Sequence, residues 1–427
     1  ATAGLAGRLC GVLGGSVSAS WWSIILFASL PMTVSLASGM QTEGPSAAVL
    51  LALALAIANL RQEDARHRLA AIAVLAAGLL AMKTSMVLAL FPMGLWLLLR
   101  LRGRLPWTVL PACVLLGLWV CGSSYFYAWW FTGNPVMPLF NAVFQSPLYG
   151  AVNFRDPLYT GLWHPTLPWR FVFDSKRYME GWPGAAGFLY VGLLGLVPLA
   201  LWDRERRAVA LVALASMVLT TIAVQYVRYL HPMLVLAIPA LLAAFSRVSD
   251  RRWVGVVCAA PLLLNLAFFS HANWPIRSGA IQMLAESRGD PRVLFHAFLG
   301  ERLVAREFRR EHPDARVLFA GRASHAEWSG RAFSLSWYDT AMVRAWWGGR
   351  TWESPESFAH LLQTFGLTHV IIAGPPTWES MPAQLEALGA TEGFGPGGVK
   401  VWTLPAEWAG DRDLRAERDR VRVERGP

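Results

Sequence analysis

Four groups of three arginines punctuate this chain. They are Arg61, Arg66 and Arg68; Arg100, Arg102 and Arg104; Arg204, Arg206 and Arg207; and Arg247, Arg251 and Arg252. Apolar runs lie between and around them, near 20–38, 45–60, 69–82, 85–99, 107–126, 186–201, 208–226, 229–246 and 253–270. A perpendicular helical span needs ~20 apolar residues. Shorter runs cross where the bilayer thins or the helix tilts little. The pattern predicts an α-helical polytopic membrane protein with about nine spans.

The stretch 69–99 decides the sidedness. As one helix it would be ~46 Å long, too long for a single span. Lys83-Thr84-Ser85 interrupts it, and reading a tight hairpin there puts all four arginine groups on one side. The positive-inside rule makes that side cytoplasmic. The segment 39–44, the Lys83 turn, the long loop 127–185, the turn at Arg228 and everything after 271 are then expected to face outward.

Composition agrees with this reading. Charged residues are 15% and hydrophobic residues 55%, against ~25% charged in an ordinary soluble domain. Disordered, collagen-like and disulfide-stapled classes are excluded. The formal charge of +10 raises the question of nucleic acid. From Arg277 onward, however, 19 basic and 19 acidic residues balance, and the four arginine loops alone carry +7. The charge is an orientation signal, and no nucleic-acid partner is expected. Cys10, Cys113, Cys121 and Cys258 show no C-x-x-C spacing and read as packing residues. The chain begins at Ala1, and residues 1–19 lack the order of a signal peptide. A portion upstream of residue 1 is expected.

The region 275–409 changes character. Residues 315–321, 368–374 and 399–404 read as strands; 354–365, with Ser354 as N-cap, and 378–388 read as helices. This alternation predicts a small extracytoplasmic α/β domain after the transmembrane part, 1–274. Residues 410–427 alternate Arg with Asp and Glu and read as a solvated tail.

Isolated charges at outward helix ends are the candidate functional residues, because such a charge is costly without a partner or a task. Lys83 fits a lipid-linked phosphate or a headgroup snorkel. Arg228 fits a bidentate phosphate grip or an interfacial anchor. His231 fits the same phosphate, a sugar hydroxyl or a buried structural role. Glu43 fits a general base, a metal ligand, a hydroxyl acceptor or a helix N-terminal charge. The long loop is rich in Tyr and Trp, which suit both sugar faces and a membrane interface. It also holds Asp156, Asp174 and Glu180, three acids that the sequence does not rank. Asp203-Arg204-Glu205 has the residue types of a D-x-D metal motif but reads as a salt-bridged loop on the cytoplasmic side.

Several of these segments resemble one family. Gly133-Asn134-Pro135-Val136-Met137-Pro138 is similar to the Gly-Asn-Pro-x-x-Pro segment that opens the long outer loop of bacterial polytopic glycosyltransferases. Arg228-Tyr229-Leu230-His231-Pro232 resembles their Arg-Tyr-x-x-Pro helix start, and Gly78 to Lys83 their Gly-x-x-x-x-Lys turn. The loop before Gly44-Pro45 resembles their second short acidic loop. This is the GT-C type, which includes protein O-mannosyltransferases and the lipid A aminoarabinose transferase.

The resemblance implies inverting transfer of a hexose or pentose from a polyprenyl-phosphate-linked sugar to an extracytoplasmic glycan, lipid or protein, in the bacterial cytoplasmic membrane. Membrane lipids are the other implied partner. Lys83, Arg228 and His231 would hold the donor phosphate. Glu43 and Asp156 are the candidate catalytic acids. Tyr229, Trp129, Trp130 and Asn134 are the candidates for contact with sugar or acceptor. No cofactor is certain, and a divalent metal is allowed. The family's main catalytic carboxylate follows its first span, upstream of where this sequence begins. The competing expectations are a non-catalytic scaffold of the same fold and a lipid or glycan transporter.

Overall fold

The computed structural model describes residues 1–427 except 40, 61–64, 102–106, 147–150, 157, 205, 322–331, 336–354, 374–378, 395–398 and 407–427. The charged tail, Ser354, Glu205 and the arginines 61, 102 and 104 therefore lie outside the described residues. The chain forms two compact units. One contains residues 1–129 and 155–279, the other residues 130–154 and 280–427.

The first unit is helical. Its N-terminal half contains α1 (Thr2–Val12), α2 (Val17–Ser29), α3 (Pro31–Ser38), α4 (Glu43–Ala58), α5 (Ala65–Met82) and α6 (Val87–Arg100), with α7 (Leu110–Thr132) leading out of it. Later come α8 (Val197–Trp202), α9 (Arg207–Ala223), α10 (His231–Val248) and α11 (Arg251–Ala267). Asp250 caps α11 by accepting from the backbone N–H of Arg252 and Trp253, the arrangement that satisfies a helix's first unpaired donors. Arg100 does the converse for α4, donating to the carbonyls of Ala58 and Leu60 at 2.8 and 3.2 Å.

Among the described residues, two helical segments are long and apolar enough to cross a membrane, Leu110–Thr132 and Val227–Val248. The bent pair α2–α3 makes a third if it is one span. Its 58° bend falls at Pro31, where the missing N–H breaks the ladder and the preceding residue is pushed out of the helical region. Five further apolar helices have 10–17 residues. The expected run near 186–201 is broken into Leu189–Gly192, a 3-10 turn Leu194–Leu196 and α8.

The two long segments live in opposite surroundings. α10 is buried from His231 to Phe245 and packs on α1, α2, α4, α8 and α9. None of the apolar window of α7 is buried. Leu115, Leu118 and Trp119 are exposed there.

α1 is an element the sequence reading did not place. Its small residues hid it from a search for hydrophobic runs and are also why it packs. A Cβ on Gly7 would stand 2.8 Å from the Ile24 side chain, so α1 approaches α2 as small-residue helix pairs do.

The second unit contains the α/β part. Strands β1 (Val317–Gly321), β2 (Ala332–Leu335), β3 (His369–Ala373), β4 (Thr391–Phe394) and β5 (Lys400–Thr403) form one sheet in the order β2-β1-β3-β5-β4. β1 pairs parallel with β2 and β3, and β5 pairs antiparallel with β3 and β4. Every residue of β3 is buried, as a central strand covered on both faces requires. Helices Pro355–Thr364 and Met381–Ala387 supply Phe358, Leu361, Leu362 and Leu385 to the core beside it. The three expected strands and two expected helices are present within a few residues of their expected bounds. β2 (AFSL) and β4 (TEGF) are additions, each with small or polar residues that break any apolar run.

Candidate functional site

Three charges that lie far apart in the sequence meet in the first unit. Glu43 is the first residue of α4, where the helix dipole favours a carboxylate. Lys83 is extended between α5 and the 3-10 turn Thr84–Met86. Arg228 belongs to the 3-10 turn Val227–Leu230 that leads into α10.

Lys83 Nζ donates to Glu43 Oε1 at 2.6 Å. Arg228 Nε lies 3.0 Å from the same oxygen. That Nε makes no hydrogen bond, so the approach is an ion pair whose N–H is not aimed at the acceptor. Glu43 is 1% exposed, whereas the Lys83 and Arg228 side chains are 16% and 19% exposed. The acid thus sits behind two cations, and the cations form the accessible face. Glu43 offsets one cation, and Glu180, 3.9 Å from Arg228 Nη1, faces the other, in surroundings that weaken charges less than water does.

Aromatic rings hold the cations in place. Lys83 Nζ stands 3.4 Å from the centre of the Tyr229 ring, and Arg228 Cζ 4.6 Å from that of Tyr226. Both are cation–π distances. Tyr125 fixes the Lys83 turn by donating to the Leu80 carbonyl at 2.9 Å. Tyr159 stacks on Tyr226 with centroids 4.2 Å apart. Gln225 ties the loop of Tyr159 down, its N–H on the Tyr159 carbonyl and its Oε1 accepting from Leu162 N. Burial first, and the nearby Glu180 carboxylate second, push the Tyr159 phenol above its ordinary value. Glu180 accepts from the Tyr226 hydroxyl and lies 3.9 Å from Arg228 Nη1.

Of the residues singled out from the sequence, Glu43, Lys83, Arg228 and Tyr229 come together. His231 lies behind them, 1% exposed, with Nε2 2.9 Å from Thr33 Oγ1 and the ring beside Phe27. Burial places it as bundle packing and not as a group offered to a ligand. Asp156 is occupied locally, its carboxylate accepting from Leu158 N. Trp129 is exposed and meets Phe126 edge-on. Trp130 and Asn134 belong to the second unit. There Trp130 is exposed, while Asn134 is fully buried with its amide donating to the Leu139 carbonyl and Asn141. Asn134 is a loop-shaping residue in this structure. Tyr125 and Tyr159 were expected only as outer-loop aromatics for a sugar face or the membrane interface; Tyr226 and Gln225 were not singled out, and their signal was an aromatic and an amide beside the isolated Arg228.

A metal set is not gathered here. Among the described residues no group of three or more His, Cys, Asp or Glu is placed to hold a metal ion, and Glu43 is flanked by cations that would repel one.

The other end of α10 carries a second charged cluster. Arg206 donates to both oxygens of Asp203 at 3.0 and 2.8 Å, and Arg247 approaches Asp203 at 3.4 Å. Here the cation Arg206 is the buried member, at 2%, with Asp203 at 16%. A Cβ on Gly14 would stand 2.5 Å from Arg206 Nη2, so this guanidinium rests on the α1–α2 turn. The salt-bridged reading of the Asp203 loop describes what these residues do.

No family model matches the chain, and no curated protein matches it by sequence. Solved structures do match in fold. One is ArnT from Cupriavidus metallidurans in the apo state, with 12% identity, TM-score 0.55, and coverage of 96% of this chain and 84% of that one. A second is ArnT from the same organism bound to undecaprenyl phosphate, with 14% identity, TM-score 0.50 and the same coverage. A mostly helical chain with a small sheet, similar in fold to ArnT, is therefore the architecture present here.

Proposed function

We propose that this chain is a membrane glycosyltransferase that moves a sugar from a polyprenyl-phosphate donor to an extracytoplasmic acceptor. The observation that carries this reading is the accessible pair Lys83 and Arg228 backed by the buried Glu43. Two partly exposed cations held a few ångströms apart suit the oxygens of a phosphate monoanion or dianion, and guanidinium adds a planar fork. The apolar helices around the site and the exposed apolar face of α7 suit a donor with a hydrocarbon tail in a bilayer. Similarity in fold to ArnT, of which one structure holds undecaprenyl phosphate, supports the same ligand class.

The chemistry follows from the charges. The glycosidic C–O bond to the phosphate breaks, and negative charge grows on the leaving lipid phosphate. Lys83 and Arg228 stabilise that growing charge from fixed positions, which lowers the barrier more than it tightens ground-state binding. Glu43 keeps two like charges adjacent in the absence of ligand and sets their direction. Its own burial and double pairing make it a positioning residue.

The test is a titration of purified protein in lipid nanodiscs with undecaprenyl phosphate. Wild type binds, and Lys83→Ala and Arg228→Ala each weaken binding by about 10- to 100-fold, the value of one charge-assisted contact. Equal affinity in all three proteins would remove the site.

A further inference from the structure

The Asp203 cluster brings two connections to one place. Residues 203–206 join α8 to α9, and Ser249-Asp250 joins α10 to α11. Asp203 bridges them, holding Arg206 from its own loop and Arg247 from the end of α10. The α1–α2 turn closes the stitch. Ser16 N–H donates to Ser246 Oγ at 3.1 Å, and the Arg206 guanidinium rests against Gly14. The two connections are therefore fixed to each other from within.

The outside of this stitch is basic. Arg204, Arg207, Arg251 and Arg252 are exposed, and among the described residues none of the four is joined to a carboxylate. The nearby acids have other work. Asp203 takes Arg206 and Arg247, and Asp250 Oδ1 accepts from the backbone N–H of Arg252 and Trp253. Counted over 203–207 and 247–252, six arginines against three acids leave +3. Arg100, from another arginine group, instead spends its guanidinium on the Ala58 and Leu60 carbonyls.

Exposed apolar side chains frame these arginines. Trp202 at the end of α8 is 88% exposed, Trp253 in the first turn of α11 is 61% exposed, and Val248 at the end of α10 is 67% exposed. Tryptophan beside arginine at helix ends suits the headgroup layer of a bilayer. The indole takes the apolar side, and guanidinium forks a phosphate.

We propose that this face binds an anionic phospholipid of the leaflet that the arginine groups mark as cytoplasmic. Arg204 and Arg207 take phosphate oxygens from one connection, Arg251 and Arg252 from the other, and Trp202 and Trp253 line the acyl-chain side. The charge supplies attraction to an anion, and the apolar rim favours a lipid over a soluble one. A lipid seated here ties the α8–α9 and α10–α11 connections together from outside, as Asp203 does from within. It stabilises the folded chain by mass action. The site is independent of the transferase reading and of the Lys83–Arg228 pair at the other end of α10.

The test uses the full chain in detergent, given either cardiolipin, whose two phosphates match two pairs of arginines, or phosphatidylcholine. Bound lipid is counted by native mass spectrometry, and the unfolding midpoint is followed with each lipid. Cardiolipin is expected to bind and raise the midpoint, phosphatidylcholine to do neither, and the rise to shrink as salt is added. Arg204→Gln with Arg207→Gln, or Arg251→Gln with Arg252→Gln, should weaken cardiolipin binding by about 20-fold, the product of a several-fold loss for each charge. Lysine at the same positions should keep most of the affinity. Lys176→Gln with Arg177→Gln, which removes two exposed cations of the long loop, should leave it unchanged. An equal response of the wild type to both lipids overturns the proposal, as does wild-type affinity in the Gln pairs. An equal loss from the Lys176 and Arg177 pair reduces the effect to overall charge and overturns it too. Should a Gln pair fail to fold, the wild type still decides, because cardiolipin binding undiminished by high salt contradicts a phosphate site.

Discussion

Each end of α10 gathers two cations about a central acid, with Glu180 as a second acid at the Glu43 end, and the two clusters are built in opposite order. Residues 231 and 247 are about 24 Å apart along the helix. At the Glu43 end the acid is buried and the cations are partly accessible. At the Asp203 end a cation, Arg206, is buried on the α1–α2 turn, and the acid is the more exposed of that pair. The same residue types therefore do different work. A buried acid behind two partly accessible cations leaves those cations open to an anion. A buried guanidinium wrapped by an acid and a glycine turn is a clamp between helices.

If that contrast is right, variants at the two ends separate function from stability. The largest functional effect is expected for Lys83→Ala and Arg228→Ala, with transfer falling by about 10²- to 10³-fold per lost donor to the leaving group. Both also lose stability, because each strips a cation from the 1%-exposed Glu43 carboxylate, and Lys83 Nζ supplies the hydrogen bond to it; breaking a buried pair is destabilising. A stability effect without a functional one is expected for Arg206→Ala, which leaves Asp203 without its bidentate partner. Loss of one member of a buried pair costs about 3–5 kcal/mol, to be read as a lower midpoint in thermal or denaturant unfolding. Undecaprenyl phosphate affinity of the folded fraction should not change.

Smaller substitutions sharpen the same division. Gly14→Ala combines a positive φ of 72° with the crowded Arg206 guanidinium. It should cost about 1–2 kcal/mol of stability and leave phosphate binding intact. Tyr229→Phe keeps a ring under Lys83 and should bind undecaprenyl phosphate like wild type. Tyr229→Leu removes the ring and should weaken binding by about two- to fivefold, the worth of a partly exposed cation–π contact. A Tyr229→Phe defect as large as that of Lys83→Ala would show that the hydroxyl, not the ring, matters.

Glu43, Lys83 and Arg228 were legible in the sequence for one physical reason. A lone charge between apolar runs is costly unless it is paired or used, so each stood out, and here they pair with one another. Glu180 was not separable from Asp156 and Asp174, because a loop crowded with polar residues gives no such contrast; only the Tyr226 and Arg228 contacts rank it. His231 stood in the same motif as Arg228, yet lies one helical step away, inside the bundle. Asn134 carried a recognisable motif whose role in this structure is to fold its own loop. α1 escaped because glycine and alanine pack helices without raising hydrophobicity. The strands β1, β3 and β5 were readable from their apolar runs, whereas small and polar residues interrupt β2 and β4.

The central claim is that Lys83 and Arg228 jointly grip a lipid phosphate. A structure of the full chain with undecaprenyl phosphate tests it most directly. The expected result places phosphate oxygens about 3 Å from both Lys83 Nζ and the Arg228 guanidinium, with Glu43 still paired behind them. Phosphate bound elsewhere, with the Lys83–Glu43–Arg228 cluster closed and untouched, would contradict it.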